Sequence, residues 1–463
     1  MKRMKRWLPC LLCVSILCSL FLGSQPTVYA DSEFETELSK FPDSYHEKLR
    51  ALHKKHPNWK FQAVSVPVNW DNALEHESNL GVNTIASNVP KGGSASSYSA
   101  PFSFLSKEGR AYNVYQDSFR LIDGSNMYTA SKQVVAHYMD PRNFLTEQGI
   151  FQFEALNYNE THTQEGVEQI LGNTFMKGNY SYRTGKAKNK KKITKNYAET
   201  FMEAGRTNNI NPYFLAAKCK NEVGVKGSGS TSGKYPGYKG YYNFFNIGAG
   251  DSSSGQAIAK GLRFAKKKGS YQRPWNTPYK SISGGASYIA KEYVAVGQNT
   301  LYLQKFSVMN SAYRYWHQYS TNVQSASSQA SSVYQAYKAQ GILNKEILFC
   351  IPVYRSMPAS PCALPKRTGS DNAYIKHLIV SHGKKKLSLL TSLNYRTKNF
   401  HLTVENDIST IRVKGETCNK KAKLSGRGTY HLAAGKTRVI SLKCKAQDGT
   451  TRDYRIKVTR LPK

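Results

Sequence analysis

The chain has 463 residues, 40% hydrophobic and 21% charged, enough for two to four domains with real cores and too apolar for a disordered protein. Its 66 Lys and Arg against 30 Asp and Glu give a net charge of +36. That excess calls for an acidic partner, whether nucleic acid, an anionic membrane surface or an anionic wall polymer, and argues against a cytosolic metabolic enzyme.

The N-terminus sets the compartment. Residues 1–6 are basic, an apolar stretch runs from Trp7 to Leu22, and a polar segment ends at Val28-Tyr29-Ala30. This order is that of a secretory signal peptide cleaved after Ala30. The apolar stretch is shorter than the ~20 residues a membrane span needs, so no stable membrane insertion is expected after cleavage. Residues 31–463 then carry +32, and export replaces nucleic acid with anionic wall polymers, such as teichoic acid, as the expected partner. Five cysteines remain (Cys219, Cys350, Cys362, Cys418 and Cys444), with no CxxC spacing, and no HExxH occurs. Neither a metal nor another cofactor is expected. An oxidising exterior permits bridges Cys350–Cys362 and Cys418–Cys444, leaving Cys219 over.

Residues 31–189 read as a mixed α/β module. A helical stretch, Tyr45–His56, stops at Pro57 and leads into the alternating run Trp59–Val64. A Ser/Gly-rich loop lies at about 91–99, and a lysine-rich connector spans 186–195. Residues 190–345 are mainly helical, 346–365 form a Pro-containing linker, and 366–463 change to period-two alternation, as in Phe400/Leu402/Val404 and Tyr454/Ile456/Val458. Asp448-Gly449 marks a hairpin turn. Roughly seven short strands over this last stretch argue an all-β sandwich. It holds 23 Lys and Arg against 6 Asp and Glu.

Within the helical region, Asn211-Pro212 is a helix start, with Asn as N-cap and Pro as first helical residue, and Gly224 is the stop. Spacing puts Leu215, Cys219 and Glu222 on one apolar face. Desolvation and the negative helix end both disfavour a charged Glu222 and raise its pKa, while Lys218 at i−4 opposes them. A carboxyl protonated near neutrality is what a glycosidic leaving oxygen needs from a general acid. The plainer alternative is a helix-end Glu paired with Lys218. Val225–Gly240 reads as a hairpin or lid. Gly250–Gly255 lacks the glycine pattern of a serine-nucleophile loop, and Gly233-Lys234 lacks the spacing of a phosphate loop.

Three blocks around this helix, Asn221-Glu-Val-Gly224, Asn243-Phe-Phe-Asn-Ile-Gly-Ala249 and Gly297-Gln-Asn-Thr-Leu-Tyr302, come in the order found in family 73 endo-β-N-acetylglucosaminidases, the bacterial autolysin type. The resemblance spans about 196–337. Tyr138–Leu145 and Ile150–Glu154 are similar to the leader of clostridial-type members. Residues 366–463 resemble the cadherin-like sandwich of bacterial surface proteins, notably at Gly426–Tyr430 and Ala446–Arg460. The resemblance implies a mainly α, lysozyme-like catalytic domain that cuts the β-1,4 bond after GlcNAc in peptidoglycan. It implies Glu222 as catalytic acid, with Tyr288 assisting and Tyr293 second. It places Tyr242, Asn243, Phe244, Phe245, Asn246, Gln298, Asn299 and Tyr302 around the glycan. Val225–Ala249 contains no Asp or Glu, so a second carboxylate would have to be Asp251 or Glu292; assistance by the substrate's acetamido group, or a water held by Tyr288, is favoured. A muramidase or lytic transglycosylase on the same fold, or a non-catalytic wall adhesin, are the alternatives. The expected whole is a secreted multidomain protein of a Gram-positive-type cell wall.

Overall fold

A computed structural model describes residues 25–91, 99–185, 191–250 and 256–463. Most of the expected signal peptide, most of the Ser/Gly loop, part of the lysine-rich connector and Asp251 lie outside these residues. The expected cleavage point after Ala30 falls inside the first described helix, α1 (Gln25–Leu38). Among the described residues no helix is long and apolar enough to cross a membrane.

The chain divides into two compact units, and neither follows the expected module boundaries. The first comprises residues 1–76, 137–320 and 324–362; the second comprises 77–136, 321–323 and 363–463. Residues 31–189 therefore do not form a module of their own.

In the first unit, α2 (Asp43–Lys55) precedes β1 (Trp59–Asn69). The hairpin β2 (Asn179–Thr184) and β3 (Lys191–Asn196) follows much later, and then β4 (Ile347–Arg355). β4 lies where a linker was expected. It pairs in parallel with β1, from Trp59 opposite Ile347 to Ser65 opposite Val353. The apolar run Ile347-Leu-Phe-Cys-Ile explains the correction, because its buried side chains have a core to enter. Pro352 is tolerated since each strand of a two-stranded sheet has a free edge. Trp59, Phe61, Phe151 and Phe349 meet around this ribbon, with Trp59 and Phe349 centroids 5.0 Å apart and edge-on.

The helical part consists of α3 (Gln164–Leu171), α4 (Tyr197–Asn208), α5 (Pro212–Val223), α6 (Ala257–Lys266), α7 (Pro278–Glu292), α8 (Leu301–Lys305) and α9 (Ser325–Ala339). Helices α3, α4 and α9 pack on α5, and every residue from Pro212 to Cys219 is buried. The single apolar face expected of α5 is thus exceeded, and α5 is a central helix. Close approach has a local cause: a Cβ on Gly166 of α3 would fall 2.0 Å from the Tyr213 hydroxyl oxygen.

The second unit contains two four-stranded sheets formed by β5 (Ile375–His382), β6 (Lys385–Leu387), β7 (Asn399–Val404), β8 (Thr410–Thr417), β9 (Lys423–Ser425), β10 (Gly428–His431), β11 (Thr437–Lys445) and β12 (Thr451–Arg460). Their orders are β6-β5-β8-β10 and β7-β12-β11-β9. Alternation drives Val380, Ile411 and Val413 from one sheet, and Phe400, Leu402, Ile440, Leu442 and Ile456 from the other, into one shared core. Residues 77–136 add short strands tied to these sheets. Asn372 Nδ2 donates to the Tyr112 hydroxyl (2.8 Å) and the Val114 carbonyl (2.9 Å), and Asn419 Nδ2 donates to Asp117 Oδ2 (2.8 Å). All five cysteines are free thiols, so neither expected bridge is present. Cys350 Sγ instead lies 3.6 Å from Gln62 Oε1, and the Cys362 amide donates to Asp140.

Candidate active site

Helix α5 is built as its sequence dictates. The Asn211 side chain accepts from the Tyr213 and Phe214 amides at 2.8 and 3.2 Å, Pro212 opens the first turn, and Gly224 ends the helix at φ +74°. The free thiol of Cys219 is fully buried, 3.6 Å from Met176 Sδ, and acts as a small hydrophobe.

The Asn211 cap is itself held. Its Nδ2 donates to Glu154 Oε1 at 2.9 Å, and the Tyr337 hydroxyl donates to the same oxygen. The Asn159 amide donates to His162 Nδ1 at 3.0 Å, which leaves the Nε2 proton of His162 facing the Tyr337 oxygen at 3.1 Å. Burial pushes the Glu154 carboxyl from its ordinary 4.5 up to about 8, against the two hydrogen bonds. Its sign is definite. Between about 4.5 and 8 the unfolded chain loses this proton and the folded one keeps it, so stability falls as pH rises through that window. Glu154→Gln is therefore expected to flatten the decline of melting temperature from pH 5 to 8 and to melt higher than the parent at pH 8. Parallel melting curves for the two proteins would refute this.

At the other end of α5, Glu222 is half-buried. Burial raises its pKa; the Lys218 charge and a hydrogen bond from Asn246 pull it down, without cancelling the rise. Asn246, in the left-handed region at φ +49°, donates through Nδ2 to the Glu222 carbonyl at 2.7 Å and approaches Oε2 at 3.5 Å. The Ser230 hydroxyl donates to Asn246 Oδ1 at 3.1 Å and so orients that amide. Lys218 is 1% exposed. It makes no ion pair with Glu222 among the described residues; its Nζ stands 3.2 Å over the ring of Tyr319. Burial lowers the Lys218 pKa, with Glu222 opposing.

Tyr319 is the residue that sequence reasoning missed. Its hydroxyl donates to the Phe245 carbonyl at 2.7 Å, and burial together with the Glu222 charge pushes its pKa well up. The density of aromatics in Tyr313–Tyr319 was the available signal. Tyr293, 7% exposed, lies 5.2 Å from Tyr319 and also feels Glu222, after burial and Tyr288. Tyr288 is half-buried and sits one step further out, 6.3 Å from Tyr293 and 5.1 Å from Tyr271. Its pKa rises through burial and then Glu292. Glu222 is among the charges that raise the Tyr293 pKa, whereas for Tyr288 the acting carboxylate is Glu292. Glu292 accepts from the Tyr271 hydroxyl.

Five of the eight expected glycan contacts are corrected by burial. Asn243, Phe244, Gln298 and Tyr302 are 0% exposed and Phe245 is 1% exposed, so none offers surface to a ligand. Asn243 Nδ2 bonds the Ile247 and Gly261 carbonyls. Gln298 Nε2 bonds the Leu303 and His317 carbonyls. The Tyr302 hydroxyl donates to the Met139 carbonyl. Asn246 contacts the acid directly, whereas Tyr242 and Asn299 are half-buried. Val225–Gly240, expected as a hairpin or lid, contains no strand. It is a turn-rich loop closed by Gly240 N to Gly233 O (2.9 Å) and Asn243 N to Ser230 O (2.7 Å). Among the described residues no cluster of three or more His, Cys, Asp or Glu could hold a metal ion.

Glu222 is thus a carboxyl held toward its protonated form at a helix end, with a buried lysine one turn earlier and its charge felt by Tyr293 and Tyr319. No family model matches the chain. Over 218 residues, 43% of this chain and 15% of the relative, it is 29% identical to the bifunctional autolysin of Staphylococcus epidermidis. Over 230 residues, 49% of this chain and 23% of the relative, it is 29% identical to the beta-N-acetylglucosaminidase of Bacillus subtilis strain 168. The chain thus spans less than a quarter of the length of either relative. A solved structure, a catalytic mutant of S. aureus Autolysin E in complex with the disaccharide NAG-NAM, aligns over 62% of this chain and 99% of its own at 19% identity and a TM-score of 0.41. The sequence likenesses are consistent with a family 73 glucosaminidase.

Proposed function

We propose that the chain is a secreted peptidoglycan hydrolase that cleaves the β-1,4 bond between GlcNAc and MurNAc. Its first unit would supply a lysozyme-like catalytic region and its second a cadherin-like sandwich. The observation that carries the reading is Glu222, a half-buried carboxyl with a raised pKa beside Tyr293 and Tyr319. Glu222 protonates the glycosidic oxygen as the bond from C1 to that oxygen breaks. Glu292 is engaged by Tyr271, which supports the substrate's own acetamido oxygen as the group that attacks C1 before water completes hydrolysis. Digested peptidoglycan, reduced with borohydride, should yield reduced GlcNAc. Reduced MurNAc or an anhydro sugar would move the cut to the other side of the disaccharide, and no cleavage would leave a wall adhesin.

The wall polymer partner is also a proposal. The outer face of the β7-β12-β11-β9 sheet carries His401, Lys443, Lys445, Arg455 and Lys457, all exposed, against Asp453. Such a face attracts a polyanion such as teichoic acid, in a manner weakened by salt. Removing 366–463 would strip residues 77–136 of their unit, so substitution is the cleaner probe. Replacing Lys443, Arg455 and Lys457 together by Glu should weaken retention on walls at low salt severalfold and leave release of soluble fragments unchanged. Equal retention would reduce these basic residues to a solubilising face.

A further inference from the structure

The segment between α8 and Tyr319 exposes two large aromatic side chains. Trp316 is 80% exposed and Tyr313 is 62% exposed. Both sit on a fixed turn. The Asn310 side chain accepts from the Ala312 and Tyr313 amides at 3.2 and 3.1 Å, the Trp316 amide donates to the Tyr313 carbonyl at 3.0 Å, and the Tyr315 amide donates to the Ser307 carbonyl at 2.8 Å. Tyr315 anchors the turn from below, its ring stacked on His76 at 4.4 Å and its hydroxyl donating to Asn72 Oδ1 at 2.9 Å. The turn is not an isolated bump. Its rings run inward toward the acid: Tyr313 to His317 at 6.0 Å, His317 to Tyr293 at 4.4 Å and nearly parallel, and Tyr293 to Tyr319 at 5.2 Å.

An exposed indole on a hydrogen-bonded turn costs hydration and has only two side-chain torsions to order on binding, which suits a flat, amphipathic ligand. Pyranose rings have that form, with C–H faces for stacking and hydroxyl edges for water. We infer that Trp316 and Tyr313 form an outer subsite that stacks sugar rings of a glycan strand extending away from the bond beside Glu222. The inference rests on the hydrolase reading and adds to it a preference for long strands over short fragments. The continuous ring series favours a glycan over a second copy of the chain as occupant.

The test uses the full chain carrying Glu222→Gln, so that binding is read without cleavage, with uncrosslinked glycan strands and a tetrasaccharide fragment as probes. Adding Trp316→Ala should weaken strand binding at least about fivefold while the tetrasaccharide is affected less than about twofold, and Trp316→Phe should restore most of the loss. Trp59, Trp70 and Trp275 are at most 1% exposed and Trp7 is common to both proteins, so the difference in fluorescence between the parent and Trp316→Phe should be the part that long strands shield from acrylamide. Unchanged strand binding in Trp316→Ala, an equal loss on both probes, or a shift only in oligomeric state would overturn the subsite. Failure of the parent chain to release reducing-end GlcNAc would instead overturn the hydrolase reading, whatever the binding result.

Discussion

Glu222→Gln is expected to lower the release of reducing ends from peptidoglycan by at least ~10²-fold, the scale on which a positioned general acid acts. The substitution keeps the shape and the acceptor oxygen near Asn246 and removes only the transferable proton. Its backbone carbonyl, which takes the 2.7 Å bond from Asn246, is untouched. Melting temperature and glycan binding should therefore stay close to the parent values. The rate should fall in kcat rather than through KM, because the lost interaction is made as the bond breaks. A variant retaining more than a tenth of parental turnover would remove Glu222 from the acid's role and open the site to Glu292.

Lys218→Met should move the alkaline limb of the kcat/KM profile to higher pH, by about one unit. The direction follows from the charges. Burial raises the Glu222 pKa and the Lys218 ammonium, one helical turn earlier, opposes the rise. Removing that ammonium leaves burial unopposed, so Glu222 holds its proton to a higher pH. Met fills the same volume over the Tyr319 ring without a charge to desolvate, and replacing a buried charge by an apolar side chain is often neutral or stabilising. The melting temperature should accordingly not fall. A limb that stays in place would mean that Lys218 acts on packing alone, and one that moves to lower pH would contradict the placement of its charge beside the acid.

Much of the local structure around the acid was legible in the sequence because its causes are local. Asn211, Pro212 and Gly224 act on backbone groups within a turn of themselves, so the ends of α5 could be read without a fold. The same holds for the strands of the second unit, where inward residues alternate with outward Lys and Arg along single segments. Spacing showed Glu222 on an apolar face near a helix C-terminus, and only the order of the three motif blocks around it pointed to an acid rather than to a partner of Lys218.

What escaped depends on neighbours distant in the chain. β4 looked like a linker since Pro352 and the following loop mask an apolar run that only becomes a strand when β1, nearly three hundred residues earlier, offers it a partner. Phe244, Phe245, Gln298 and Tyr302 share a motif with surface-reaching residues, and nothing in their spacing separates a side chain aimed at a ligand from one that holds the frame. Lys218 at i−4 reads as a salt-bridge partner of Glu222 until Tyr319, a hundred residues on, brings its ring to 3.2 Å from the ammonium. Sequence by itself determined where the helix that carries Glu222 starts and stops, because those ends follow from short-range hydrogen bonding and periodicity. Only the tertiary structure decided that Tyr319 and Tyr293 pack together and that Tyr319 covers Lys218, because long-range packing, not local pattern, sets the distance between side chains from α5, α7 and the Trp316 turn.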